Sequence, residues 1–191
     1  MTEMRRKIAE LFEYMDATRA SLLACARDMN ESFAMIPPRE GEWSAAQNLA
    51  HLALVESGVT AFMEKTIAAA RAEGIGPDQS DDSFINSLDD WRVAEPLTKR
   101  TSPSRVAPDA DKSVRESIES LVGTRARLKS IILENSDVDL HSIKREHPAV
   151  GLIDMYQWAL FVAQHEERHR KQMERALAVV TERAAECAPI V

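Results

Sequence analysis

From Leu152 to Glu186 the sequence carries neither proline nor glycine. Nothing in that stretch interrupts the i to i−4 hydrogen bonds of a helix, so it predicts one long helix. Within it stand Gln164, His165, Glu166, Glu167, Arg168 and His169, with Gln172 three residues further on. Two histidines four apart lie one turn above each other on the same helix face, which is metal-ligand spacing. With Leu152, Tyr156, Ala159, Val162, Met173, Leu177 and Val180 as the inward stripe, His165 and His169 continue it at three and seven residues past Val162. A polar pair on a buried face costs roughly 2–7 kcal/mol per group unless something satisfies it. A metal ion does so. Hydrogen bonds to carbonyls or carboxylates do so too, as would a shift of the stripe that exposes both rings, and the spacing alone leaves all three readings open.

The rest of the chain supplies partners for such a helix. A first helix is predicted from about Thr2 to Phe33, with Ile8, Leu11, Phe12, Met15, Leu22, Leu23 and Met29 on its apolar side, stopped by Pro37 and Pro38. Ser44 followed by Gln47 is a capping-box signature, so a second helix starts there and runs to about Ala72, with His51 two turns in. Between Glu73 and Asp111 two glycines and four prolines break any long helix, and Phe84, Leu88 and Trp91 mark one short helix near Asp82 to Val93. A loop this long in a compact domain is expected to pack over the bundle as a crossover or cover. A third helix follows from about Lys112 to Asn135, then a turn-rich lead ending in His147, Pro148 and Gly151. The sequence shows no internal repeat and no convincing strand. Four long helices with one crossover between the second and third predict an all-α four-helix bundle.

At 191 residues the chain fits a single domain spanning 1–191, long enough for a real core. A net charge of −7 repels phosphate backbones and argues against nucleic acid as a partner. The two cysteines, Cys25 and Cys187, lie far apart with no C-x-x-C element and read as reduced thiols of a cytoplasmic protein. The first residues hold no signal-peptide apolar core, and no run approaches the ~18–20 apolar residues of a membrane span.

His165 to His169 also matches H-E-x-x-H, the zinc metallopeptidase signature, with Glu166 as general base. Such enzymes need a third ligand beyond the motif helix and a sheet to hold an extended peptide. No histidine follows His169 and no strand is evident, so a peptidase is the minor alternative.

Taken together, Trp43 and Ser44 opening a helix, His51 within it, then His147-Pro148, Gly151, Trp158, His165-x-x-x-His169 and Gln172 resemble the DinB-like (DinB/YfiT) superfamily of bacterial four-helix metalloproteins. The resemblance covers most of the chain. It implies a bundle in up-down-down-up order that holds one divalent transition metal through His51, His165 and His169. Nickel or zinc is the expected metal, with iron or manganese as further options. Some relatives use low-molecular-weight thiols as co-substrates, which implies a small-molecule substrate and a thiol-dependent transferase; a metal-bound water makes a hydrolase the other option, and the family implies pairing into a homodimer. Three protein ligands describe an open site rather than a closed structural one. The alternative is a non-catalytic, metal-stabilised structural or ligand-sensing module.

Gln47, one turn before His51, and Gln172, three residues past His169, are candidates to orient the rings by hydrogen bonds. Glu166 lies about 100° round the helix from His165. It is a candidate general base, with a solvated surface position as the competing reading. Glu56, five residues past His51, falls off its face and is not a ligand candidate.

Overall fold

The computed structural model describes residues 4–96, 107–108 and 113–186. Cys187, the first three residues and the later part of the crossover lie outside the described residues. Helix α1 spans Arg6–Arg27, α2 is a single turn at Glu31–Ala34, α3 spans Ala45–Ala72, α4 Val114–Glu134 and α5 Met155–Glu186.

Each long helix begins where a side chain satisfies its orphan N–H groups. At α3 and α4 the reciprocal pairs Ser44/Gln47 and Ser113/Glu116 form capping boxes. At α5 Asp154 accepts from the Gln157 N–H at 2.9 Å while the Gln157 side chain accepts from the Asp154 N–H at 3.1 Å. Helix α1 takes its cap from far along the chain. The Asp81 carboxylate of the crossover accepts from the N–H groups of Arg6 and Lys7 at 3.1 and 3.2 Å. Substituting Asp81 with Ala is expected to cost about 1 kcal/mol of stability, read as a lower urea midpoint at unchanged slope. At the end of α3, Gly74 takes φ of +83° and Ile75 donates back to Ala70, the glycine-terminated stop that releases the chain into the crossover.

The expected single first helix is instead two, because Asn30 turns its side chain onto the N–H groups of Ser32 and Phe33 and starts a new turn. The short helix expected near Asp82 to Val93 reduces to a 3-10 turn at Asp89–Trp91 that still buries Leu88 fully. Two short strands, absent from the sequence reading, precede α5. β1 (Lys144–His147) pairs antiparallel with β2 (Gly151–Asp154), His147 opposite Gly151 and Lys144 opposite Asp154. Leu152, expected on the inward stripe, lies in β2 and is 59% exposed.

Among the described residues the four long helices pack as a bundle in up-down-down-up order. α3 lies against α4 and α5, and α1 against α5. α3 and α4 run parallel, since Arg71 at the end of one binds Asn135 and Asp137 just past the end of the other. α3 and α5 run antiparallel, with Phe62 on Trp158 and His51 on His169. The crossover is fastened at both described ends: Lys7 pairs with buried Asp78, and Arg168 and Lys171 of α5 donate to the carbonyls of Glu95 and Ala94.

The core is divided. One apolar cluster gathers Met15, Val59, Leu128 and Ala163 with the residues around the hairpin, and the other gathers Leu22, Leu52, Leu121 and Met173. At their boundary sit four buried charged residues, one from each long helix: Arg19, Glu56, Arg125 and Glu166. Arg19 binds Glu56 at 2.5 Å and Glu166 at 2.6 Å, and Arg125 binds Glu56 at 2.7 Å and Glu166 at 3.1 Å. Each arginine also donates to a backbone carbonyl of a neighbouring helix, Arg19 to Leu121 and Arg125 to Met15.

Candidate metal centre

The Ser44 cap sets the phase of α3 two turns before His51, so that this ring enters the bundle interior at 2% exposure. α5, running the other way, presents His165 and His169 one turn apart to the same point. The three ring centroids lie 4.7 Å (His51 to His169), 4.5 Å (His165 to His169) and 5.3 Å (His51 to His165) apart. One nitrogen from each falls within 4.8 Å of the others. His51 and His169 are buried, whereas His165 is half-buried and marks the open side.

Two nitrogens on one metal at ~2.0–2.1 Å are separated by about 2.9–3.4 Å, from octahedral to tetrahedral angles. The Nε2 atoms of His165 and His169 are 3.1 Å apart, inside that interval. The widest separation exceeds it, so closure on a metal requires that pair to draw together. All three donors are imidazole nitrogens, a set that suits zinc, nickel, copper or iron and leaves coordination positions for water or substrate. Burial, with His165, His51 and Arg168 close by, pushes His169 well below its ordinary imidazole value. Neutral imidazole is the form that binds metal.

Around the rings, Trp43 half-covers the cluster, its centroid 4.8 Å from His51 and 6.2 Å from His169. Trp43 also lines a surface cleft of about 620 Å³, together with Arg39, Glu42, Gln47 and Arg183. On the far flank the ring of Phe161 stacks on His165 at 5.4 Å, and His147 of the hairpin lies 4.0 Å from Phe161. His147 therefore packs behind the site and is not among the three clustered histidines; its Nδ1 accepts from the Ala149 N–H at 3.1 Å.

The neighbours expected to orient the rings are placed otherwise. Gln47 spends its side-chain carbonyl on the Ser44 N–H at 2.9 Å, so it caps α3. No hydrogen bond joins Gln172 to the cluster among the described residues. The residue that does meet a ring is Asn48, whose Oδ1 lies 2.7 Å from His169 Nδ1. Sequence reasoning passed over it for its neighbour Gln47. Asn48 and His51 are three apart, which puts both on one face, a spacing that Gln47 at four shares.

Glu166 is neither solvated nor free to act as a base. At 1% exposure its Oε2 accepts from both Arg19 and Arg125, which turns the carboxylate into the charge layer between the two core clusters. With Glu166 held in ion pairs away from the rings' open side, and with only a two-stranded hairpin among the described residues, the H-E-x-x-H reading has no support here. Glu56 belongs to the same layer. Among the described residues no helix is long and apolar enough to cross a membrane.

Comparison with known proteins agrees with this architecture. The solved structure of TT2238, a four-helix bundle protein, superposes with a TM-score of 0.58 at 21% identity, covering 88% of this chain and 98% of that one. At that identity the likeness establishes the fold. Comparison with curated proteins gives no match. The family model of the DinB superfamily matches residues 7–173, a span that includes the ends of the charge layer, the hairpin and all three clustered histidines. The chain belongs to the DinB superfamily.

Proposed function

We propose that the protein is a metal-dependent enzyme that acts on a small molecule, as a low-molecular-weight thiol transferase or as a hydrolase. The observation that carries this reading is the convergence of the donors an open site needs: three imidazoles from two helices, buried on one side and open at His165. A divalent metal held there, with zinc or nickel favoured by the all-nitrogen set, supplies a Lewis acid that activates a water or thiol. His51 and His169 anchor from the buried side and His165 closes the set at the rim. Trp43 on one flank and Phe161 on the other keep the rings in apolar surroundings. The cleft beside Trp43, with Arg39 and Arg183 on its rim, offers a charged approach for a small polar substrate. In that role Glu166 is structural.

A second reading is favoured by the deep burial of His51 and His169, at 2% and 6% exposure. A metal there ties α3 to α5 and contributes folding energy without turnover, as in a metal-stabilised structural or sensing module. One experiment separates the two. Protein purified without a metal-affinity tag is analysed for metal content beside His51→Ala and His169→Ala, and each is assayed with small-thiol and ester substrates. The enzymatic reading expects close to one metal per wild-type chain, none in the variants, and turnover that disappears while the far-ultraviolet spectrum is kept. Metal without turnover of any such substrate supports the second reading. A wild type that takes up neither zinc nor nickel removes both.

A further inference from the structure

We propose that Asn48 is a positioning residue that presets His169 to direct Nε2 at the metal, a role that rests on reading the three histidines as a metal site. The argument begins with the amide. Asn48 is 3% exposed, so its donor and acceptor ends both need partners inside the protein. Its Nδ2 donates to the Ser44 carbonyl at 2.9 Å, and the Trp43 carbonyl lies on the same side at 3.5 Å. Two carbonyl oxygens cannot face an amide oxygen, so they fix which end of the amide points where. Oδ1 is left facing His169 Nδ1 at 2.7 Å.

An amide oxygen only accepts. His169 Nδ1 must therefore carry the proton, and Nε2 carries the lone pair. That is the nitrogen lying 3.1 Å from His165 Nε2, inside the cluster. The capping turn of α3 thus reaches the metal site through its own backbone: the Trp43 and Ser44 carbonyls orient Asn48, and Asn48 orients His169. The opposite amide orientation would put Nδ2 against Nδ1 and force the proton onto Nε2, which removes the ligand lone pair from the cluster.

The test uses full-length, metal-free, 15N-labelled protein and cobalt(II) as the probe. Long-range 15N–1H spectra of the histidine side chains are expected to show His169 protonated at Nδ1 in the wild type and in Asn48→Asp, and to lose that fixed tautomer in Asn48→Leu. Cobalt affinity, from competition with a chromophoric chelator, is expected to fall roughly 10–100-fold in Asn48→Leu and to stay within a few-fold of wild type in Asn48→Asp. A role limited to packing predicts the reverse order, because Leu fills the buried site while Asp sets a second oxygen against the Ser44 carbonyl. Asn48→Leu binding cobalt as tightly as wild type overturns the proposal and leaves the metal site standing. So does a wild-type His169 protonated at Nε2, a result that needs no variant to fold. Absence of cobalt uptake by the wild type overturns the metal reading and the positioning role together.

Discussion

Replacing Arg125 with Met is expected to lower stability by about 3–5 kcal/mol, one of the largest losses available from a single side chain in this protein. The guanidinium holds Glu56 at 2.7 Å, Glu166 at 3.1 Å and the Met15 carbonyl at 2.5 Å, all in the interior. Without it, two carboxylates remain on Arg19 alone, and the layer carries an uncompensated negative charge away from water. Arg19→Met should cost a similar amount for the same reason. Replacing all four members with Leu and Met is expected to be far milder, from neutral to stabilising, because it removes every buried charge at once and joins the two apolar clusters. Urea unfolding monitored by circular dichroism compares the variants directly. A loss below about 1 kcal/mol for Arg125→Met, the scale of a surface pair, would mean that water reaches the layer. A quadruple variant as unstable as the single ones would mean that the layer is net stabilising.

That charge layer marks the limit of what the sequence discloses. Helix periodicity and the Ser44/Gln47 signature are local, and the structure begins α3 at the next residue, Ala45. That the helices form a bundle follows from their lengths and the length of the crossover, which are also local quantities, whereas their up-down-down-up order is implied only by the resemblance to the DinB-like superfamily. Which charged residues turn inward is not local. Arg19, Glu56, Arg125 and Glu166 are each ordinary surface-type residues in their own windows, and only four-way neutralisation makes their burial tolerable. The hairpin was hidden because Lys144–His147 is almost wholly polar and shows no alternation, so its register rests on backbone pairing and on Gly151 at φ +76°. Of the site, the histidine spacing on α5 is readable by eye, while His51, a lone histidine two turns into its helix, is singled out only by the resemblance to the DinB-like superfamily. Asn48 was not distinguished from Gln47, because both lie near one turn from His51 and only the side-chain directions tell them apart.

Saturating zinc or nickel is expected to raise the thermal midpoint of the wild type by roughly 5–16 °C, and excess chelator to reverse it. The size follows from mass action: a ligand that binds only the folded state stabilises by about 2.7 kcal/mol at 100 times its dissociation constant and about 4.1 at 1,000 times. For a chain of this length each kcal/mol is worth about 2–4 °C. The geometry makes the folded state the binding state, since His51 stands on α3 and the other two rings on α5, and an unfolded chain separates them by more than a hundred residues of sequence. His51→Ala should abolish the shift almost entirely, because it removes the one ligand that joins the two helices. His165→Ala should leave a residual shift, since the buried pair His51 and His169, with centroids 4.7 Å apart, still bridges α3 and α5. Equal residual shifts in all three alanine variants would place the stabilising metal elsewhere on the protein. A wild-type midpoint that does not move with either metal or with chelator would return the three rings to the bundle as core histidines, held by Asn48 and by one another.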